Sequence, residues 1–152
     1  MDYNNLKVKQ SGEVVQSFMA ISGTLTRFTS QNADSMGLTL QQMGILNIVS
    51  AFPEITLKGI TDKLNLPKST VSVNVDSLVN LKLIDRKITK ENRREIHLTS
   101  TSKGKELSKK SSQNALSYRA MALALEKIPE EDVQTLIRIH KELLNHLRDC
   151  KF

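Results

Sequence analysis

The sequence predicts a mainly α-helical fold that contains one small β-hairpin. Apolar residues recur with helical spacing along most of the chain, and strand-like alternation replaces this spacing only over residues 84–99. Threonine, proline and acidic residues stand where the helices would begin. Of the 152 residues, 39% are hydrophobic and 25% are charged, as is typical of a soluble globular domain. We therefore expect a single domain over residues 1–152.

The N-terminal part of the chain predicts two helices. The first covers about residues 12–34, and the apolar stripe along it consists of Val14, Phe18, Ile21, Leu25 and Phe28. Residues Thr39 to Gln42 have the form of a capping box, in which the two side chains satisfy amides at the start of a helix. The second helix therefore begins at this box, and Pro53 ends it.

Two short helices separated by a tight turn follow. Thr56 can cap a third helix that runs to about Leu64, and Pro67 begins a fourth that ends near Leu81. The buried side of the fourth helix is predicted to carry Val71, Val75, Leu78 and Val79. Its other side is small and polar. This pair predicts a helix-turn-helix, because short side chains let a helix approach base edges in the major groove of DNA.

A β-hairpin follows the fourth helix directly. Two alternating segments, residues 84–88 and 94–99, flank a polar link. The basic residues of the hairpin are Arg86, Lys87, Lys90, Arg93 and Arg94. Such a hairpin contributes little to a core, but as a wing it can place arginine in the minor groove. A solvated hairpin whose charges only raise solubility is the alternative.

Two more helices complete the chain. Thr101 can cap one long helix over about residues 102–126. Pro129 and three acidic residues then open a last helix that runs to about Asp149, with the acids at its positive dipole end. Its apolar stripe consists of Val133, Leu136, Ile137, His140, Leu143, Leu144 and Leu147. The stripes of the first and last helices predict either a dimer interface or an ordinary core within one chain.

The positive charge is concentrated in the middle of the chain. The net charge is +6, and residues 58–110 hold 13 Lys and Arg against 6 Asp and Glu. This excess favours a polyanion as partner, nucleic acid first and an anionic membrane surface second, although a solvated basic face would look the same. The sequence shows neither a membrane-spanning run nor a secretory signal, so we expect a cytoplasmic protein without membrane contact.

Five short segments occur in a characteristic order. They are Leu38-Thr39-Leu40-Gln41, Ser69-Thr70-Val71-Ser72 with Asp76 and Leu78, Leu83-Ile84-Asp85-Arg86, Asn92-Arg93-Arg94, and Thr101-Ser102-Lys103-Gly104. Together they resemble the MarR family of multiple antibiotic resistance regulators. The resemblance implies a single MarR-like domain with a winged helix-turn-helix DNA-binding lobe at residues 38–100. It also implies a homodimer formed by helices at residues 12–34 and 102–149.

The chain departs from the family pattern at several positions. Asn92 stands where the family has an aspartate that braces the wing arginines. Val73 and Ser77 stand where arginine is common, which implies fewer phosphate contacts from the fourth helix. Lys82 replaces a frequent glycine at the end of that helix, where a left-handed conformation would cost lysine about 1 kcal/mol.

Ten residues are the predicted DNA contacts. They are Lys68, Ser69, Thr70, Ser72, Val73, Ser77, Arg86, Lys90, Arg93 and Arg94. The hydroxyl groups can bind phosphates or bases, Val73 can pack on a thymine methyl group, and Lys68 can neutralise a phosphate. Asp76 lies on the same face, and we expect it to form an ion pair with Arg86 or with an arginine of the wing.

The sequence thus predicts a transcription factor, usually a repressor in this family, that binds double-stranded DNA as a homodimer. A small-molecule effector, lodged among the first, second and fifth helices, would lower the DNA affinity by changing the separation of the two reading helices. A winged-helix module that binds protein instead of DNA is the alternative. No catalytic signature and no cofactor site is evident. Cys150 with His146 lacks further ligands for a metal.

Overall fold

A computed structural model describes residues 6–88 and 96–151, apart from the side chain of Ile88. The elements are α1 (Leu6–Asp34), α2 (Leu40–Ala51), β1 (Ile55–Thr56), α3 (Leu57–Leu64), α4 (Lys68–Asn80), β2 (Ile84–Ile88), β3 (Ile96–Ser100), α5 (Ser102–Gln113), α6 (Leu116–Leu125) and α7 (Glu130–Asp149). The predicted mainly helical fold with a small antiparallel sheet is confirmed. The chain divides into two compact units, Met1–Leu116 and Ser117–Phe152.

Threonine residues cap three helices at the predicted positions. The Thr39 hydroxyl accepts the Gln42 N–H at 3.2 Å, and the Thr39 N–H donates to Gln42 Oε1 at 2.9 Å, so the predicted capping box is present. Thr56 and Thr101 each accept the N–H of the residue three positions later. These caps satisfy amides that have no partner inside a helix, which fixes where α2, α3 and α5 begin.

The hydrophobic core of the first unit lies among α2, α3, α4 and the sheet. Its members are Ala33, Leu38, Met43, Ile45, Leu46, Val49, Ile60, Val71, Val75, Leu78, Leu83, Ile84 and Leu98. The inner side of α4 is therefore the predicted one, with Val79 half-buried beside it. Asn65, with φ of 49° and ψ of 44°, makes the turn between α3 and α4. Pro67 is the N-cap of α4 and not a residue of its first turn.

The sheet has one strand more than predicted. Strands β2 and β3 form the expected antiparallel hairpin, with Ile84 opposite Ser100. Strand β1 adds to the other edge of β3, with Ile55 opposite Leu98. A strand of two residues has no alternation that a sequence pattern can show, and Thr56 was recognisable only as a helix cap.

The predicted single helix over residues 102–126 is wrong. α5 ends at Gln113, Asn114 and Ala115 are not helical, and α6 begins at Leu116. The Asn114 N–H donates to the carbonyl of Lys110 at 3.0 Å as the C-cap of α5. Asparagine side chains compete for backbone hydrogen bonds, and this competition favours helix ends over helix interiors.

Of the two outer helices, α1 extends beyond its predicted start, and α7 has its predicted bounds. α1 starts at Leu6, before the predicted residue 12, and α7 starts at Glu130 with Glu130, Glu131 and Asp132 in its first turn. No helix in the described ranges is long and apolar enough to cross a membrane.

Candidate nucleic-acid interface

The outward side of α4 carries small side chains along its whole length. Ser69, Val73, Asp76 and Asn80 are exposed and follow one another at helical spacing, so they form one strip, which we call the α4 strip. Val73 is 67% exposed at its centre. Lys68 is exposed at its N-terminal end. A helix with such a strip can approach base edges closely, because no long side chain separates its backbone from the groove.

Three other predicted contacts lie beside the α4 strip. Thr70, Ser72 and Ser77 are half-buried, so the structure places all six predicted residues of α4 on or next to its outward side. Ser77 also contacts α2, because its Oγ accepts a hydrogen bond of 2.9 Å from the Nε2 of Gln42. The strip is therefore flanked by hydroxyl groups.

Arg86 of β2 lies against α4. Its Nη2 donates to Asp76 Oδ1 in an ion pair, which confirms the predicted pairing. The Arg86 side chain is 36% exposed and that of Asp76 is 52% exposed, so the pair sits at the surface of the lobe. Part of the Arg86 charge is thus offset before any DNA arrives. Asp76 in turn does not present an unpaired negative charge.

The remaining predicted contacts fall between residues 88 and 96 of the sequence. Lys90, Arg93 and Arg94, together with Asn92, lie outside the described residues. Lys87 at the end of β2 is exposed. Neither Lys68 nor Lys87 forms an ion pair with an acid in the described ranges. Lys68, at the end of the α4 strip, is therefore positioned to meet an external anion.

A tight turn joins α4 to the hairpin. The Leu83 N–H donates to the Leu78 carbonyl and the Lys82 N–H to the Val79 carbonyl, each at 2.9 Å. This pair of bonds is a Schellman motif, which requires a left-handed residue after the helix. Lys82 has that conformation, with φ of 59°, as the family comparison from the sequence predicted. The motif fixes the direction in which β2 leaves α4.

The start of α5 is packed against the same turn. The Thr101 N–H donates to the Leu83 carbonyl at 3.0 Å, and its hydroxyl donates to the Lys82 carbonyl at 2.9 Å. A Cβ atom added to Gly104 would lie 2.1 Å from the Leu83 carbonyl oxygen. No side chain fits there, and this explains why the segment from Thr101 to Gly104 needs glycine at its end.

A buried polar network connects α1, α2 and α5 within the first unit. Ser108 Oγ donates to Asn47 Oδ1 at 2.9 Å, and Asn47 Nδ2 donates to Ser111 Oγ at 3.1 Å. Asn32 Nδ2 donates to the Ser111 carbonyl at 3.0 Å. Asn32, Ser108 and Ser111 are each less than a tenth exposed. The polar helix α5 is thus partly internal, and its residues Ser108 and Ser111 face α2.

The structure also shows an open groove of about 480 Å³ beside strands β2 and β3 and the start of α5. Its walls are Pro53, Asp85, Lys87, Thr99, Ser100, Thr101, Ser102 and Lys105. These residues are polar apart from Pro53, and all are exposed or half-buried. Binding sites for small organic ligands are mostly apolar and enclosed, so we assign no effector to this groove.

One site residue was missed in the sequence. Gln42 was recognised as part of a capping box, but its amide also reaches Ser77 on α4. The two residues are 35 positions apart, and no local pattern links them. Only the packing of α2 against α4 brings them together.

Two helices joined by a tight turn, with a β-hairpin directly behind the second, define a winged helix-turn-helix protein. Residues 36–95 match the family model described as the MarR family. The structure resembles that of a multiple antibiotic-resistance repressor (MarR) from Listeria monocytogenes, with 29% identity, a TM-score of 0.69, and coverage of 96% of this chain and 100% of that chain. The chain is thus similar to MarR family proteins over residues 36–95 and in its fold, and these matches support a transcriptional regulator.

Two further structures share the fold. A MarR family transcription regulator is 18% identical with a TM-score of 0.83, and the match covers 94% of this chain and 93% of that chain. A mutant of MepR from S. aureus, bound to an oligodeoxyribonucleotide, is 20% identical with a TM-score of 0.60, and the match covers 88% and 97%. No curated protein sequence matches this chain significantly.

Proposed function

We propose that this regulator represses transcription by binding a palindromic DNA operator as a homodimer, with one half-site read by each chain. The observation that carries the proposal is the α4 strip, an exposed row of small side chains with Lys68 at its end. A helix of this shape fits the major groove, and the basic hairpin behind it can contact the minor groove or the phosphates. The oligonucleotide complex of the similar MepR structure supports DNA as the ligand.

The ten residues predicted from the sequence remain our proposed DNA contacts. Within α4, Ser69 and Val73 are proposed to meet base edges, and Lys68, Thr70, Ser72 and Ser77 to meet bases or the backbone. The hairpin residues Arg86, Lys90, Arg93 and Arg94 are proposed to add affinity that does not depend on sequence. This lobe covers residues 38–100.

Homodimer formation is supported by apolar side chains that stay exposed in a single chain. In α1 they are Val14, Val15, Phe18, Met19 and Ile21, and in α7 they are Leu136, Ile137, Ile139, Leu144 and Leu147. Each is 40% or more exposed, and apolar surface on this scale usually marks an interface. We therefore propose residues 12–34 and 102–149 as the dimerisation region.

A small-molecule effector is proposed to regulate the dimer. The dimer can adopt a form whose two DNA-reading lobes fit both half-sites and a form whose lobes are spaced differently. An effector that binds the second form more tightly shifts the population away from the first and so lowers the DNA affinity. We propose that this site lies among α1, α2 and α5, the helices that the buried network of Asn32, Asn47, Ser108 and Ser111 connects.

DNA binding is tested by a mobility-shift titration of the full chain on duplexes selected from a random-sequence pool, at low and high salt. We expect binding that weakens steeply with salt, and selected sequences that are palindromic. Arg94→Ala should weaken binding and change the free energy of unfolding by less than about 0.5 kcal/mol. A folded protein that binds no duplex, or binds without salt dependence, would favour the protein-interaction module instead.

The dimer is tested by light scattering with size-exclusion chromatography. Ile137→Asp places a charge on the apolar side of α7 and should give a monomer that binds the selected duplex much more weakly. Asn145→Asp is the matched control, because it also adds one negative charge to α7 but at an exposed polar position away from the apolar stripe. A dimer that persists in Ile137→Asp would exclude this side of α7 from the interface.

A further inference from the structure

The side chain of Gln42 bridges the start of α2 and the recognition surface of α4. Its Oε1 accepts the backbone N–H of Thr39 at 2.9 Å, and its Nε2 donates to Ser77 Oγ at 2.9 Å. Gln42 therefore does two things at once: it completes the capping box and holds a hydroxyl group beside the α4 strip.

The direction of these hydrogen bonds is fixed by chemistry. The backbone N–H of Thr39 can only donate, so the amide atom that it meets must be the oxygen of Gln42. The other amide atom is then the NH₂ group, which can only donate, and this removes the usual ambiguity of an amide flip. Ser77 Oγ must accept at this contact.

The hydroxyl proton of Ser77 is consequently directed elsewhere. A serine hydroxyl has one proton and two acceptor positions, and Gln42 occupies one of the acceptor positions. Among residues 6–88 and 96–151, no protein group accepts this proton. Ser77 is half-buried, four positions after the fully outward Val73. The Ser77 hydroxyl, whose proton has no acceptor in the described ranges, therefore lies at the flank of the α4 strip and not at its centre.

We infer that Gln42 is a positioning residue that orients the Ser77 hydroxyl to donate to a phosphate oxygen of bound DNA. This inference rests on the proposed function. When a helix lies in the major groove, the flanks of its outward side face the walls of the groove, which are phosphates. A phosphate oxygen accepts only, so it matches the remaining proton, and the chain from Gln42 through Ser77 to phosphate has one consistent polarity.

The substitution Gln42→Glu tests the polarity directly. Glutamate also completes a capping box, so α2 keeps its cap. Its second carboxylate oxygen, however, accepts a hydrogen bond from Ser77 and takes the proton that DNA needs. We expect the affinity of the full chain for a duplex selected from a random-sequence pool to fall about tenfold or more. The melting temperature should stay the same or rise, because an acid is favourable at a helix N-terminus.

The added negative charge must be separated from the change in hydrogen bonding. Gln41→Glu is the matched control, because Gln41 is exposed in the same turn and its side chain forms no hydrogen bond within the described residues. It should lower affinity by no more than about threefold. In a Ser77→Ala background, Gln42→Glu should likewise lower affinity by no more than about threefold, since no hydroxyl proton remains to be diverted.

The outcomes are distinct. Equal losses for Gln42→Glu and Gln41→Glu, or the same loss with and without Ser77, would overturn the inference while the proposed function stands. A wild-type chain that is folded but binds no duplex would overturn both. A tenfold loss that requires Ser77, with thermal stability retained, supports Gln42 as the residue that orients this hydroxyl.

Discussion

Arg86 on the first strand of the wing donates to Asp76 on α4, and the ion pair joins the two elements that are proposed to touch DNA. Asp76 would otherwise present a negative charge to phosphate. The ion pair therefore has two effects, one from each residue. Arg86 ties the hairpin to the helix, and Asp76 depends on Arg86 for compensation.

The first prediction follows from this compensation. Arg86→Ala should weaken DNA binding, in part because it leaves the Asp76 charge uncovered. The double substitution Asp76→Ala with Arg86→Ala keeps the net charge unchanged and should recover only the part of the lost affinity that the uncovered Asp76 charge causes, because the proposed DNA contact of Arg86 is still missing. Titrations at several salt concentrations give the reference for a simple phosphate contact, since Lys68→Ala should lower the salt slope by about 0.9.

A result in which the double variant binds no better than Arg86→Ala would show that Arg86 acts mainly through its own DNA contact. The pair is partly exposed, so its loss should change the free energy of unfolding by only about 0.2–1 kcal/mol. Urea unfolding of Arg86→Ala, of the double variant and of Lys68→Ala measures these changes in the free energy of unfolding.

The second prediction concerns the joint between α5 and the α4 turn. Gly104→Ala should lower the free energy of unfolding by about 3 kcal/mol or more, because its Cβ would overlap the Leu83 carbonyl oxygen at 2.1 Å. Gly44→Ala is the same chemical change in α2, where a Cβ meets nothing within 4 Å. It should stabilise the protein by about 0.5–1 kcal/mol. Similar effects at the two sites would contradict this packing.

The third prediction concerns the left-handed residue after α4. Lys82→Gly should raise the free energy of unfolding by about 1 kcal/mol, because glycine adopts the φ of 59° without steric cost. Lys82→Ala removes the same charge but keeps a Cβ atom, so it should give little or none of this gain. Thermal unfolding of both variants checks the point, and an equal gain in both would attribute it to charge.

The fourth prediction concerns the buried polar network. Asn47→Ala removes the acceptor of Ser108 and the donor to Ser111, both of which are buried. Leaving these groups without partners should cost about 1–3 kcal/mol in unfolding free energy. Asn80→Ala makes the same change at an exposed position and should cost less than about 0.5 kcal/mol. A small loss for Asn47→Ala would mean that water replaces the amide.

Features that depend on neighbours in the chain were predictable from the sequence. The caps at Thr39, Thr56 and Thr101 involve residues three positions apart, so the pattern contains both partners. The buried side of α4 repeats at helical spacing. The Asp76–Arg86 pair was also predictable, because only a short turn separates the helix from the strand.

Features that depend on partners distant in the chain were not predictable from the sequence. β1 exists because two residues meet β3 more than forty positions later. Ser108 and Ser111 look like surface residues until Asn47 is placed against them. The break at Asn114 lies in a stretch with neither proline nor glycine, so helix propensity alone favoured continuity. For β1 and for the two serines, tertiary packing decided what the local pattern could not show.

The exposed apolar side of α1 affects how operator occupancy depends on the concentration of the protein. If two chains are needed for one operator, as proposed, occupancy at low expression rises with the square of the chain concentration and not in proportion to it. A modest fall in synthesis would then release the operator disproportionately. Val15 and Met19 are exposed in the single chain. If they pair two chains, they set the chain concentration below which the operator is no longer occupied.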